Sequence, residues 1–399
     1  MANVKVGLIG AFDMLKFKNM SKVREAAIQK APANEIVGEF KINANAKALH
    51  PDYVSLVVKE VVDRSAQGAK TFVFASKDGK ALPYFRAGQY ISLKLKIGNS
   101  LISRPYSLSS APSQALKGIY ELTIKTNPNG FAADWMLENL KEGDEIEASS
   151  PQGNFYYENL RDAKNVIALA GGSGITPFIS MAQAIRDGAE DFNLTILFGS
   201  RSEDAILFKT ELDEIAKQCS KVKVVHVLSD EEKEGYEHGF ISAELIKKYA
   251  PESYSIFICG PEAMYRFAKK EIEKLNLPSR LVRSEMLGVT HKVYEQEGYP
   301  QDKCDKTFKL TVKQGPKETV IDAFSGESVL VAIERAGIKA PSRCRSGECG
   351  WCRSRLLSGE VFTPAENEGR RYADVKYGYI HPCSSFPLSD MVLEVPSEY

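Results

Sequence analysis

The chain has 399 residues, too many for one core of ordinary size, so two or three domains are expected. Hydrophobic residues make up 43% and charged residues 26%, ordinary globular usage that excludes a largely disordered, collagenous or coiled-coil chain. Lys plus Arg and Asp plus Glu both number 52, giving a formal net charge of zero and no global basic field to hold nucleic acid.

Residues 1–52 form an N-terminal extension with a weak basic excess, and an amphipathic helix is predicted over 21–30 with Ser21 as its cap. It reads as a strap over the next domain, with a membrane or partner contact as the alternative. The apolar run at 6–12 is too short for a signal peptide and lacks a cleavage site. From 53 to 160 the texture is that of strands, over 53–62, 70–75, 89–97 and 119–126, separated by turn signals such as Lys77-Asp78-Gly79-Lys80. An antiparallel barrel or sandwich follows. From 161 to 285 strands at 166–170, 194–198, 222–228 and 255–259 alternate with helices from Pro177 and over 209–219, 242–249 and 262–274. That alternation predicts a parallel α/β sheet with crossover helices. The uncharged stretch 165–183 is interrupted by glycine, serine, threonine and Pro177 and does not read as a membrane span. Residues 286–306 read as a linker, and 307–399 as a last domain opening with a hairpin and a helix over 329–336.

Four of the seven cysteines fall between 344 and 383, a clustering that suits metal ligation in a reducing compartment better than disulfides. A cytoplasmic location and the absence of an integral membrane anchor are therefore expected. Cys344, Cys349 and Cys352 stand at C-x4-C-x2-C spacing, with Cys383 following, the ligand arrangement of plant-type [2Fe–2S] clusters. Zinc would prefer two C-x2-C knuckles or added histidines, and His381 is the one histidine of this domain. Ser346, Gly347 and Gly350 allow backbone donors to approach the sulfurs. Arg343, Arg345, Arg353 and Arg355 surround the ligands, which predicts a reduction potential above the roughly −400 mV typical of the type.

These residues, with Gly378-Tyr379-Ile380-His381-Pro382-Cys383, resemble the plant-type ferredoxin domain, which implies a β-grasp fold. Upstream, Arg104-Pro105-Tyr106-Ser107, Tyr84 to Tyr90 and Gly130-Phe131-Ala132-Ala133 resemble the flavin barrel of the ferredoxin–NADP reductase family. The resemblance implies that Arg104 pairs with the flavin phosphate, Tyr106 packs on the ring and Ser107 lies near N5. It also brings Lys125 to the cofactor, and the Gly130 turn opens a helix whose N–H groups bind phosphate. Ala133 replaces the family's usual serine, which leaves FAD favoured and FMN as the alternative.

Gly171-Gly172-Ser173-Gly174-Ile175-Thr176-Pro177 and Cys259-Gly260-Pro261 resemble the same family's nicotinamide loops. Cys259 would hold the nicotinamide against the flavin as a positioning residue, and Glu285 falls where some relatives place a glutamate near the flavin. Ser107, Cys259 and Glu285 thus form the implied catalytic set. Ser200 and Arg201 occupy the place where NADPH-using relatives hold the 2′-phosphate, while Glu203 and Asp204 tilt the reading slightly toward NADH. The chain reads as an NAD(P)H-dependent reductase passing electrons through flavin to a [2Fe–2S] cluster and on to an unidentified redox protein. The alternatives are a ferredoxin-like carrier without nicotinamide activity and a subunit of an NADH:quinone-type membrane complex.

Overall fold

The computed structural model describes residues 8–30, 40–64, 68–126, 130–285, 288 and 292–396. It divides into two units, Met1–Leu49 and His50–Tyr399. The first consists of the helices Leu8–Lys30 and Lys41–Leu49, the second of which buries no residue. Its first helix begins well before the predicted cap and places Ser21 in its interior. Residues 8–20 contain no proline and one glycine, so nothing in them stops a helix.

The larger unit starts with a six-stranded antiparallel sheet. Its order is Ser100–Ser107, Tyr90–Ile97, Glu145–Ser149, Tyr53–Asp63, Ala69–Ser76 and Ile119–Lys125. A bridge between Leu108 and Leu122 draws its two edges together into a barrel. The strands Ser100–Ser107 and Glu145–Ser149 escape the sequence reading because serine, glutamate, arginine and proline dilute their β-propensity. Pro105 is tolerated because its strand lies at the sheet edge, where a missing N–H costs no ladder bond. Alternate residues, among them Phe72, Phe74, Leu93, Tyr120 and Leu122, point inward and are fully buried.

A six-stranded parallel sheet follows. It runs Glu237–His238, Val222–Leu228, Asn193–Ser200, Asn165–Gly171, Ser255–Cys259 and Val282–Ser284. Its order reverses at Asn165–Gly171, the strand that enters first, and a crevice opens where such a reversal occurs. Separate apolar clusters cover its two faces. The last domain pairs the hairpin Thr307–Gln314 and Lys317–Phe324 with Met391–Glu394, Ser354–Ser358 and Tyr379–Ile380. The parallel contact of Thr307–Gln314 with Met391–Glu394 and the helix Val329–Arg335 over this sheet give a β-grasp. Part of the stretch read as a linker is built into this end of the molecule, since Val293 and Tyr299 are buried against Phe386. Residues 286, 287 and 289–291 of it lie outside the described residues.

Barrel and parallel sheet meet at a tight seam. Ser180 of the helix Thr176–Arg186 donates to the Ser110 carbonyl at 2.7 Å. Gly88 has φ +104°, and a Cβ there would lie 2.0 Å from the Phe155 carbonyl oxygen and 2.6 Å from the Met181 methyl. Backbone strain and overpacking act together at this position. Gly88→Ala is expected to lower stability by roughly 2–4 kcal/mol, read as an earlier thermal or urea unfolding transition.

Candidate functional site

The strand reversal and the barrel's Ser100–Ser107 strand enclose a cleft of about 1200 Å³. Tyr106, Ser107, Lys125 and Ala133 line it from the barrel side. Gly171, Gly172, Gly174, Thr176, Ser200, Arg201, Cys259, Gly260, Pro261 and Glu285 line it from the parallel sheet. Among the residues predicted from sequence to bind flavin or nucleotide, four do not line it. Gly130 caps the helix Phe131–Asn139 without a side-chain cap bond, Phe131 is exposed and Ala132 is buried in the barrel core. Arg104 bonds to the Ser103 carbonyl at 2.9 Å and faces Glu334 of the β-grasp domain at 3.9 Å.

The glycines divide by role. A Cβ on Gly174 would lie 2.1 Å from the Cys259 carbonyl oxygen, and one on Gly171 or Gly260 would lie 2.5 Å from Met264 sulfur. These three let the two loops approach each other. Gly172, by contrast, has φ +53° and open space above it, so its backbone is left bare toward the cleft.

Where the domains meet, Ser107 donates to Glu285 Oε2 at 3.1 Å. Burial, more than the neighbouring charge of Glu348, pushes the Glu285 carboxyl up to about 8, although the Ser107 bond opposes the shift. Burial, followed by Glu285, raises the Cys259 thiol far above its ordinary range. Both groups are therefore neutral at pH 7, which makes Cys259 a packing surface rather than a nucleophile. Lys125 and Arg201 add two neighbouring cations to the lining, while the Ser200 hydroxyl is buried without a partner. Glu203 takes bonds from Lys233 and Tyr236, and Asp204 takes one from Ser202. The acidic charge that tilts the sequence toward NADH is thus already engaged, Glu203 by the segment after Val222–Leu228 and Asp204 within its own loop.

The four cysteines come together next to this cleft. Cys344, Cys352 and Cys383 are buried and Cys349 is exposed. Cys352 and Cys383 sulfurs are 3.4 Å apart, and Cys344 touches those of Cys349 and Cys383. Among the described residues no three such donors gather around a single ion position. The sulfur contacts run Cys349–Cys344–Cys383–Cys352, which brings together the four thiolates that a two-iron cluster needs. The Cys349 amide points at Cys344 sulfur at 3.4 Å and the Trp351 amide at Cys349 sulfur at 3.5 Å. The Ser346 hydroxyl is buried beside Cys344, whose thiolate it favours. Buried sulfurs with donors aimed at them fit a cluster of net negative charge. Much of the surrounding positive charge is paired: Arg345 with Glu334 at 2.6 Å and Arg353 with Asp374 at 3.1 Å, while Arg343 stacks on Trp351. The rise in potential expected from four free arginines is correspondingly smaller.

Sequence reasoning overlooks Ser92, Ser103, Ser342 and Glu334, which join the cysteine loop to the barrel. Ser92 donates to the Arg343 carbonyl at 2.9 Å, and the Ser103 and Ser342 hydroxyls are 2.5 Å apart. No motif marks the serines. Glu334 could have been noticed as a charge interrupting the apolar run Val329 to Ile333 of a helix.

Three family models match the chain: the oxidoreductase FAD-binding domain over residues 54–157, the oxidoreductase NAD-binding domain over 168–270 and the 2Fe-2S iron-sulfur cluster binding domain over 312–388. The chain is a flavoprotein reductase of the ferredoxin–NADP reductase superfamily fused to a plant-type [2Fe–2S] domain. More particularly, it is similar to the structure of phthalate dioxygenase reductase, with 26% identity and a TM-score of 0.62 over 86% of this chain and 98% of that one. The glycine betaine monooxygenase reductase subunit of Chromohalobacter salexigens is 28% identical over 82% of this chain and 91% of its own length. The ferredoxin reductase component of 3-ketosteroid-9-alpha-monooxygenase from Mycobacterium tuberculosis is 29% identical over 85% and 94%. The protein is an NAD(P)H-dependent oxidoreductase that passes electrons through flavin to a [2Fe–2S] cluster and on to a partner redox enzyme. No helix among the described residues is long and apolar enough to cross a membrane.

Two outcomes follow from the cleft. Gly174→Ala must displace the Cys259 loop, and it is expected to slow flavin reduction by NAD(P)H at least about tenfold in stopped-flow. Glu285 holds its proton in the folded state to about pH 8, so it favours folding most below the ordinary carboxylate range. That contribution falls as pH rises through about 8. In urea titrations at several pH values, Glu285→Gln is expected to flatten this decline.

Proposed function

We propose that the protein is the reductase component of an oxygenase system located in the cytoplasm, with the cleft residues in the following roles. Tyr106 and Ser107 hold the flavin ring, while Lys125 and the N–H groups opening the helix at Gly130 receive its phosphate. The open backbone at Gly172, with Thr176, Cys259, Gly260 and Pro261, seats the nicotinamide against that ring. Ser200 and Arg201 take the adenosine end. A flavin held there would supply two-electron hydride chemistry, and a [2Fe–2S] cluster held by the four cysteines would supply one-electron transfer toward the acceptor. Neutral Cys259 and Glu285 keep charge away from the transferring hydride, and Ser107 fixes the Glu285 carboxyl in place. The oxygenase partner is supported by the two relatives above that serve monooxygenases as reductase subunit or component. A reducing compartment is supported by seven cysteines without a disulfide.

The observation that carries the electron route is the pair of bonds from barrel strands to the residues flanking Cys344. Ser103 lies four residues before Ser107 on one strand and bonds Ser342, while Ser92 on its neighbour bonds Arg343. One hydrogen-bonded strand pair therefore carries flavin-facing groups and grips the cluster loop. Anaerobic titration of the purified protein with NADH and then NADPH is expected to take up about three electron equivalents per chain, two in flavin and one in the cluster. Uptake of two alone would contradict the route.

A further inference from the structure

The barrel and the cluster loop share a buried charge group outside the cleft. Glu334, on the helix Val329–Arg335, has a side chain only 3% exposed and grips Arg345 through both oxygens, at 2.6 and 3.0 Å. Arg345 follows the ligand Cys344, is itself wholly buried and adopts φ +60°, and its Nε has no partner. Across the domain boundary Arg104 NH1 stands 3.9 Å from Glu334 Oε2, on the strand that also carries Tyr106 and Ser107. Two arginines from different domains thus face one buried carboxylate, Arg345 wholly buried and Arg104 partly so. Just beyond the helix, Gly337 has φ +71°, and a Cβ there would meet the Asn99 carbonyl of the barrel at 3.1 Å.

We infer that Glu334 is a positioning residue that docks the cluster loop on the flavin barrel, its carboxylate holding Arg345 in place while screening it from Arg104. The inference rests on the electron route proposed above. A buried carboxylate between two guanidinium groups is hard to replace, because its loss leaves the wholly buried Arg345 uncompensated and facing a second cation. The pair Glu334 and Arg345 belongs to one domain and would serve local folding alone. The addition of Arg104, and the close fit at Gly337, make the group an element of the interface.

The test uses the full-length holoprotein, with flavin, iron and sulfide content measured for each variant. In anaerobic stopped-flow with NADH, Glu334→Gln is expected to slow cluster reduction roughly tenfold or more while flavin reduction stays within about twofold of the parent. Glu334→Asp, which keeps the charge, is expected to regain most of the rate. Combining Glu334→Gln with Arg104→Gln is expected to be less harmful than the two single effects multiplied, because the repulsive pair is then broken. Hydrogen exchange over the strand Ser100–Ser107 gives an independent readout and is expected to quicken in Glu334→Gln. An unchanged cluster phase with unchanged exchange would overturn the inference, as would multiplicative effects of the two substitutions. Loss of iron from both Glu334 variants with no faster exchange in the barrel would assign the residue to local folding and also overturn it. If the parent protein reduces its flavin but never its cluster, the electron route fails instead, and exchange in the barrel strand still decides the docking role.

Discussion

The hydrogen-bonded seam between the barrel strands and the cluster loop is the constraint on which the rest of the molecule depends. Ser92 and Ser103 hold the carbonyl and hydroxyl groups of the two residues before Cys344. The same strand pair continues, through the pairing of Tyr90 with Ser107, to the residues that face the cleft. A cluster carried on a loosely tethered domain would have to find the flavin by diffusion. Here its loop is an edge attachment of the sheet that forms the flavin site. Main-chain and hydroxyl contacts make such a seam insensitive to the identity of neighbouring side chains, which is one reason it leaves so little trace in the sequence.

On the opposite side of the cleft the governing physics is exclusion of charge. Glu285 and Cys259 are both titratable and both kept neutral by burial, and Ser107 orients the first of them. The glycine loops serve the same end. Three of the four glycines around Cys259 exist because the loops touch each other, and this contact closes the base of the cleft. Lys125 and Arg201, close enough to feel each other's charge, supply cations to the lining. The cleft thus combines neutral buried groups at Cys259 and Glu285 with two cations, Lys125 and Arg201.

Much of this was readable from the sequence because strong periodicity and fixed spacing mark it. The run at 255–259 coincides with the strand Ser255–Cys259, and the alternation from 161 onward corresponds to the parallel sheet. Cys344, Cys349, Cys352 and Cys383 do come together. What escaped depends on partners far away in the chain. The strand Ser100–Ser107 has a weak local preference and forms because Tyr90–Ile97 offers it a ladder along its whole length. Arg104 could be assigned to a phosphate by resemblance, but nothing local says that Glu334, 230 positions later, would compete for it. The glycines of the nicotinamide loop were legible as glycines, while the reason for most of them, the approach of a second loop, was not.

The central claim is that electrons pass from flavin to cluster within one chain, across a seam already formed. Rapid mixing of the anaerobic holoprotein with NADH, followed by freezing and electron paramagnetic resonance of the reduced cluster, measures this directly over a range of protein concentrations. The account expects the cluster signal to follow flavin bleaching at a rate that does not change with dilution. A rate that falls in proportion to protein concentration would mean that electrons travel between molecules, and it would contradict the account.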